Sequence, residues 1–273
     1  MIFKERNFTV LKDVTILIKT FQRPRTVKKT IERIRFFYPS IKILIADDSQ
    51  YPTEIHDSNT QVFHLPFDSG LSAGRNLLLS KLETPYFLLM DDDNSFNQST
   101  KLERMLEILQ KNKLDILSCL IFERSLRKRD LYRKLLKDYC MNFELNKGAL
   151  KFYATYHQNL EGYTLCDIVG NFFIARTDSV RKTGGWDKRL KVGEHEDFFI
   201  RAKHANLRVG FTKTCKVDHI IIKEERFSAD YVSFRCRMPE FKRIWLEKHN
   251  IHSIKERDGS TYTKEQYILK SKW

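Results

Sequence analysis

No stretch of the sequence approaches the roughly 18 consecutive apolar residues that a membrane-spanning helix needs. The basic opening MIFKERNF leads into no hydrophobic signal-peptide region. Both absences set the expectation of a soluble, unexported, cytoplasmic chain. There is no CxxC pair: Cys119, Cys140, Cys166, Cys215 and Cys236 are scattered and odd in number. That pattern fits reduced thiols better than a disulfide or zinc framework. The sequons at Asn7 and Asn97 therefore carry no weight. No internal period and no low-complexity tract is found, which argues against a repeat fold. Acids are in short supply, 35 against 49 Lys and Arg, for a net charge of +14.

What is present is enough for a core. The 273 residues are 41% hydrophobic and 12% aromatic, which excludes wholesale disorder. The positive surplus points to an anionic partner: nucleic acid, an acidic membrane surface or a phosphorylated substrate. It is concentrated in 124–137, with seven Lys or Arg and one acid, and in 235–248, where aromatics are interleaved. A solvated helix face is an equally good account of either stretch, so charge alone does not decide.

The pattern of elements is alternating. DVTILIKT (Asp13–Thr20) reads as a buried strand, Val27, Ile31 and Ile34 recur at helical spacing, and Ile41–Ala46 forms a second strand running into Asp47-Asp48-Ser49. This is the strand–helix–strand unit of a parallel sheet. Gln61–Leu65 predicts a third strand, and Ser72–Leu82 a helix capped by Ser72. Tyr86–Met90 is a buried strand ending in Asp91-Asp92-Asp93, and Thr100-x-x-Glu103 predicts a capping box opening the next helix. Asp115–Phe122, Asp167–Ala175 and Arg208–Phe211 read as strands, with helices over 177–183 and 196–206. After about residue 225 the pattern turns helical and basic. The expected division is a main domain over 1–225 and a helical, basic extension over 226–273.

Open α/β sheets bind ligands beyond the carboxyl ends of their strands. Asp47-Asp48 and Asp91-Asp92-Asp93 stand at such ends, and Glu194-His195-Glu196-Asp197 lies in a segment that can join them. Adjacent carboxylates repel, and ionise together only when a cation compensates. In an extended segment Asp91 and Asp93 point to one side, a hard-oxygen pair suited to Mg²⁺ or Mn²⁺ on a diphosphate. No GxxxxGK[ST] loop, GxGxxG turn, HExxH or metal-spaced Cys/His set offers another phosphate or metal machinery. Arg75 in GLSAGRN is placed to reach a phosphate.

Together, ILIKTFQRP, IADDSQ, PFDSGLSAGRN, YFLLMDDDNSF, GNFFIARTDSVRKTGGWD and GEHEDFF resemble the family 2 glycosyltransferases of the GT-A fold over most of residues 13–220. More narrowly they resemble β-1,4-N-acetylgalactosaminyltransferases. The resemblance implies a mostly parallel central sheet flanked by helices. It also implies metal-dependent, inverting transfer of GalNAc or another hexose or N-acetylhexosamine from a UDP-sugar to a glycan or glycolipid hydroxyl, with Mn²⁺ or Mg²⁺ as cofactor. By the same resemblance Lys19, Thr20, Phe21 and Arg23 line the nucleotide pocket, Asp48 accepts from the uracil and Arg75 sits by the diphosphate or donor sugar. Asp93 is the direct metal ligand, joined by Asp91 and by a late histidine, His219; Asp91 or Asp92 alternatively holds ribose or sugar hydroxyls. Asp197 takes the place of the catalytic base, with Glu196 as its rival, while Glu194 and Trp186 face the acceptor. The basic stretches then suit an anionic acceptor or the inner face of a cell membrane, in surface polysaccharide or glycolipid synthesis. Two rival readings are a nucleic-acid-binding protein, which leaves the ordered acidic motifs unexplained, and a metal-dependent nucleotidyltransferase, which lacks its glycine-rich loop after the first strand.

Overall fold

The computed structural model describes residues 8–127, 130–135, 140–153, 158–220, 222, 225 and 228–270. Asn7 and parts of the basic stretch 124–137 lie outside them. The chain builds an α/β fold on a large mixed sheet. Its parallel part is β1 (Val14–Thr20), β2 (Lys42–Asp47), β3 (Thr60–His64) and β4 (Tyr86–Asp91), in the order β3-β2-β1-β4. Beyond β4 the sheet continues through β13 (Phe172–Arg176), antiparallel to β4 and to β6 (Ile116–Arg127), and then β14 (Val209–Ile220), parallel to β6. All seven residues of β1 are buried, as expected of a strand covered on both faces. Ile16 and Ile18 pack with α1 (Pro24–Phe37) and α3 (Leu102–Lys111) on one face. Leu17 packs on the other, with α2 (Leu71–Ser80), α5 (His195–His204) and Trp245.

A second sheet joins β12 (Ile168–Val169), β8 (Cys140–Asn146), β9 (Ala149–Tyr153), β15 (Ser253–Lys255) and β16 (Thr261–Thr263) in that order. Residues after 225 are therefore not helical throughout. Helices α6 (Ala229–Arg235), α7 (Met238–Lys248) and α8 (Lys264–Leu269) accompany a hairpin, and β15 runs parallel to β9. The expected strand 167–175 is likewise two strands in two sheets, broken at Gly170-Asn171.

Two expected caps do not form, the second because of tertiary bonds. Ser72 is buried inside α2, whose N-cap is Gly70. Thr100 donates to the Lys216 carbonyl at 2.7 Å, while Glu103 accepts from the Tyr38 hydroxyl at 3.0 Å. Strand β14 and Tyr38 thus outcompete the capping box before α3. Asn97 spends its side-chain amide on Asp218 at 2.8 Å, so its sequon is a structural position. Among the described residues no helix is long and apolar enough to cross a membrane.

Candidate active site

Parallel pairing sets the ends of β1, β2 and β4 level: Lys19 lies opposite Asp91 and Thr20 opposite Asp47. The side chains leaving those ends form one buried ionic network. Asp47 closes the turn after β2, accepting from the Ser49 and Thr53 amides at 2.9 and 2.8 Å. Asp48 points inward, pairing with Lys19 and accepting from the Gly70 amide at 2.7 Å. Asp92 accepts from the Thr20 hydroxyl at 2.7 Å and pairs with Arg23, which also donates to Asp93 at 2.8 Å. Arg75, almost wholly buried, pairs with Glu194 and reaches Asp91 at 3.3 Å, with the Trp186 ring 5.7 Å from its guanidinium.

Strand β5 (Asn94–Ser95), immediately after the aspartates, pairs antiparallel with Asp218 and His219 of β14. That pairing brings His219 Nε2 to 3.2 Å from Asp93.

The electrostatics follow from burial. Asp47, Asp48, Asp91, Asp92, Asp93 and Glu194 face only Lys19, Arg23 and Arg75, so carboxylates outnumber cations in the network. Burial, then the neighbouring Asp93 and Asp91, lift the Asp92 carboxyl to about 6 against the pull of Arg23 and Thr20. Burial would raise Asp93 too, but Arg23 and His219 hold it well below the usual carboxylate range. Glu194 is likewise held low, by Arg75 against burial. Desolvation lowers Lys19, opposed by Asp48. Among the described residues no three His, Cys, Asp or Glu side chains already surround a common point. The donors nevertheless fit a divalent cation in kind and charge: carboxylate oxygens and an imidazole nitrogen suit Mn²⁺ or Mg²⁺, and the surrounding network is net negative.

Sequence reasoning thus named residues that the fold brings together: Lys19, Thr20, Arg23, Asp48, Arg75, Asp91, Asp92, Asp93, Glu194 and His219. Asp197 is placed differently. It is fully buried, and its oxygens accept from Arg201 at 2.9 Å, His249 at 2.9 Å and Lys248 at 2.7 Å. Arg201 in turn donates to the Thr183 and Gly185 carbonyls. Asp197 is an anchor between α5, the turn before Trp186 and α7, with no oxygen directed to the aspartates. Burial raises the Glu196 carboxyl, with Lys242 of α7 acting against it. Trp186 stacks on Phe198 at 4.8 Å, joining the core to Arg75. Phe21 packs against Phe67 and Phe234 at 5.7 and 4.8 Å.

Several contacts of the site went unread in the sequence. Tyr231 lies on the Arg23 guanidinium at 4.7 Å. Glu225 accepts from the first amides of α1, Arg25 and Thr26, at 2.8 and 2.9 Å. His195 Nδ1 is 2.9 Å from Asn171, and burial lowers its imidazole to about 4. Tyr231 and Phe234 are three apart in a helical stretch, which marks a shared face, but nothing local names Arg23 or Phe21 as partners. The tail's basic residues are largely engaged internally, Arg237 on Asp68 at 2.9 and 2.6 Å and Lys248 also on Asp187 at 2.8 Å.

The model of the glycosyl transferase family 2 matches residues 15–184. The chain belongs to glycosyltransferase family 2. Beta-1,4 N-acetylgalactosaminyltransferase 1 of Rattus norvegicus is 38% identical over 215 residues, covering 76% of this chain and 38% of the relative. The chain thus spans well under half the length of that relative. Among solved structures, GalNAc-T7 with UDP, GalNAc and Mn²⁺ superposes with a TM-score of 0.57 at 12% identity, over 94% of this chain and 56% of the other. Residues 1–349 of S. aureus TarS in complex with UDP give 0.55 at 13% identity, over 86% and 64%. The fold of this family 2 glycosyltransferase is therefore GT-A, as its motifs implied.

Proposed function

We propose that this family 2 glycosyltransferase moves GalNAc, or another hexose or N-acetylhexosamine, from a UDP-sugar to a hydroxyl of a glycan or glycolipid acceptor, with inversion at the anomeric carbon. The observation that carries this reading is the surplus of carboxylates over cations around the level ends of β1, β2 and β4, with Arg75 between Asp91 and Glu194. A site of that charge accepts a divalent cation together with a diphosphate. Asp93, Asp91 and His219 would hold the metal, which when bound supplies a Lewis acid against charge on the diphosphate. The similarity to N-acetylgalactosaminyltransferases supports GalNAc as the first donor to test.

In the reaction the acceptor oxygen attacks the anomeric carbon as the bond to the β-phosphate oxygen breaks, and the bond's electrons leave with UDP. The sugar passes through an oxocarbenium-like state. Arg75 and Lys19 are fixed cations beside the departing phosphate, and their preorganisation lowers the barrier without reorganisation. We assign the acceptor proton to Glu194 rather than to Asp197 or Glu196, because Arg75 joins Glu194 to Asp91 and keeps it ionised. General base catalysis of this kind contributes about 10²–10⁴-fold.

The test is metal-dependent release of UDP from a panel of UDP-sugars, followed by transfer to glycoside acceptors. Glu194→Gln should lower kcat by about 10²–10⁴-fold with UDP affinity retained. No metal-dependent UDP binding by calorimetry would overturn the donor site, and a fully active Glu194→Gln would overturn the base.

A further inference from the structure

Asn76 follows Arg75 in α2, and the proposed reaction gives it no part. Its carboxamide grips the backbone of Trp186 at both the carbonyl and the amide. Nδ2 donates to the Trp186 carbonyl at 2.7 Å, and the Trp186 amide donates to Oδ1 at 2.8 Å. The segment held in this way, Thr183-Gly184-Gly185-Trp186, is the turn after helix α4 (Thr177–Lys182). Its approach to α2 depends on glycine. Gly185 has φ +69°, and an added Cβ would lie 2.4 Å from Asn76 Oδ1. Arg201 holds the same turn from α5, through the Thr183 and Gly185 carbonyls at 2.9 and 2.7 Å.

What the two bonds to Trp186 position is its indole. The ring is buried, stacks on Phe198 with 13° between the planes and stands 5.7 Å from the Arg75 guanidinium carbon. A stacked pair fixes the plane of its rings but leaves sliding within that plane soft, because offset arrangements are close in energy. Hydrogen bonds to the Trp186 backbone remove that freedom. Arg75 needs the wall that results. Its donors lie in the guanidinium plane, where Nη1 pairs with Glu194 and Nη2 reaches Asp91 at 3.3 Å. Those bonds resist rotation within the plane, and the aromatic ring opposes tilting out of it.

We propose that Asn76 is a positioning residue for transfer: by clamping Trp186 it holds the Arg75 guanidinium at the angle that serves Asp91, Glu194 and the departing phosphate together. The inference rests on the transferase reading above. Neighbouring residues of one helix divide the task, Arg75 meeting the charges and Asn76 fixing the ring that Arg75 lies against. Alanine at position 76 leaves both ion pairs of Arg75 chemically intact and frees only that ring. A misplacement of about 1 Å at a reacting centre costs up to about 10²-fold in rate, so the effect belongs in kcat.

The test compares wild type, Asn76→Ala, Trp186→Leu and the double variant, each scaled to its folded fraction by urea unfolding. With UDP-GalNAc and methyl β-glycoside acceptors, Asn76→Ala should lower kcat by about 10–10²-fold. The donor KM should change by less than about threefold, as for an interaction expressed in the transition state. In the Trp186→Leu background the same substitution should cost less than about twofold, because the clamp then has no ring to place. A second readout needs no substrate. Arg75 is 1% exposed, so its Nε–H is protected from exchange and carries the ring-current shift of Trp186. The arginine resonance that moves in Trp186→Leu, or in Trp186→Phe should the leucine variant not fold, is that of Arg75, and Asn76→Ala should move it in the same direction. The proposal is overturned if Asn76→Ala lowers only the urea midpoint, if its loss falls on KM alone, if the two single losses multiply in the double variant, or if the Arg75 resonance stays in place. Failure of UDP to bind with metal would instead refute the transferase reading, and the resonance then decides the positioning by itself.

Discussion

Replacing Asp197 by Asn separates an anchoring role from a catalytic one. Burial alone would raise the Asp197 carboxyl, but His249, Lys248 and Arg201 overcome it and hold the group at about 2, against an ordinary 3.8. At 1.36 kcal/mol per pH unit, that depression is worth about 2.5 kcal/mol to the fold. The sign follows from linkage: a carboxylate depressed in the folded state stabilises fully above its unfolded value, and the contribution is lost as pH falls from about 4 to about 2. Asp197→Asn removes it at neutral pH and leaves Arg201, Lys248 and His249 without their shared acceptor, so a loss of about 2.5–4 kcal/mol is expected. For a chain of this size that lowers Tm by roughly 5–15 °C. Urea unfolding followed by tryptophan fluorescence measures it, at pH 7 and again between pH 4 and 2, where the variant should show the flatter pH dependence. Transfer by the still-folded variant should fall less than tenfold. A variant with an unchanged urea midpoint and a thousandfold loss of kcat would refute the anchoring argument and restore Asp197 as the base.

Three further outcomes test the site and its frame. Mn²⁺ with UDP at about 100 times Kd should stabilise the wild type by about 2.7 kcal/mol, roughly 5–10 °C in Tm. Asp93→Asn, which also costs stability because Arg23 and His219 lose their shared carboxylate, should abolish that shift measured from its own metal-free Tm, and an equal shift in the variant would remove Asp93 from the metal site. Gly70→Ala should cost on the order of 3 kcal/mol. Gly70 has φ +91°, a Cβ there would lie 2.5 Å from the Lys191 Cα, and its amide holds Asp48; a wild-type urea midpoint would contradict this. Finally, Cys119, Cys140, Cys166 and Cys215 are buried and Cys236 is exposed, all as free thiols. A chromogenic disulfide reagent should therefore titrate one thiol quickly and five after denaturation, and five fast thiols would contradict the packing.

The parallel half of the sheet was legible because each of its parts is local. An apolar β-branched run, a helix at 3.6 spacing and an aspartate at the strand end are all read within a few residues, and DVTILIKT, IKILIAD and YFLLMDDD carry those signals undiluted. The capping box before α3 failed for the opposite reason, since Thr100 and Glu103 have competitors at Lys216 and Tyr38 that only the tertiary fold supplies. Carboxylates show the limit most sharply. Glu194, Glu196 and Asp197 are equally acidic in sequence, and motif spacing favoured Asp197. Their cations differ: Arg75 comes from α2, Lys242 and Lys248 from α7, His249 from just past its end, and Arg201 from one turn along α5. Of these only Arg201, four residues from Asp197, could be foreseen from helix periodicity. An acid with a cation at i+4 on its own helix has a local partner, whereas one without must find its partner elsewhere in the fold. Glu194 finds Arg75, and through Arg75 it is joined to Asp91.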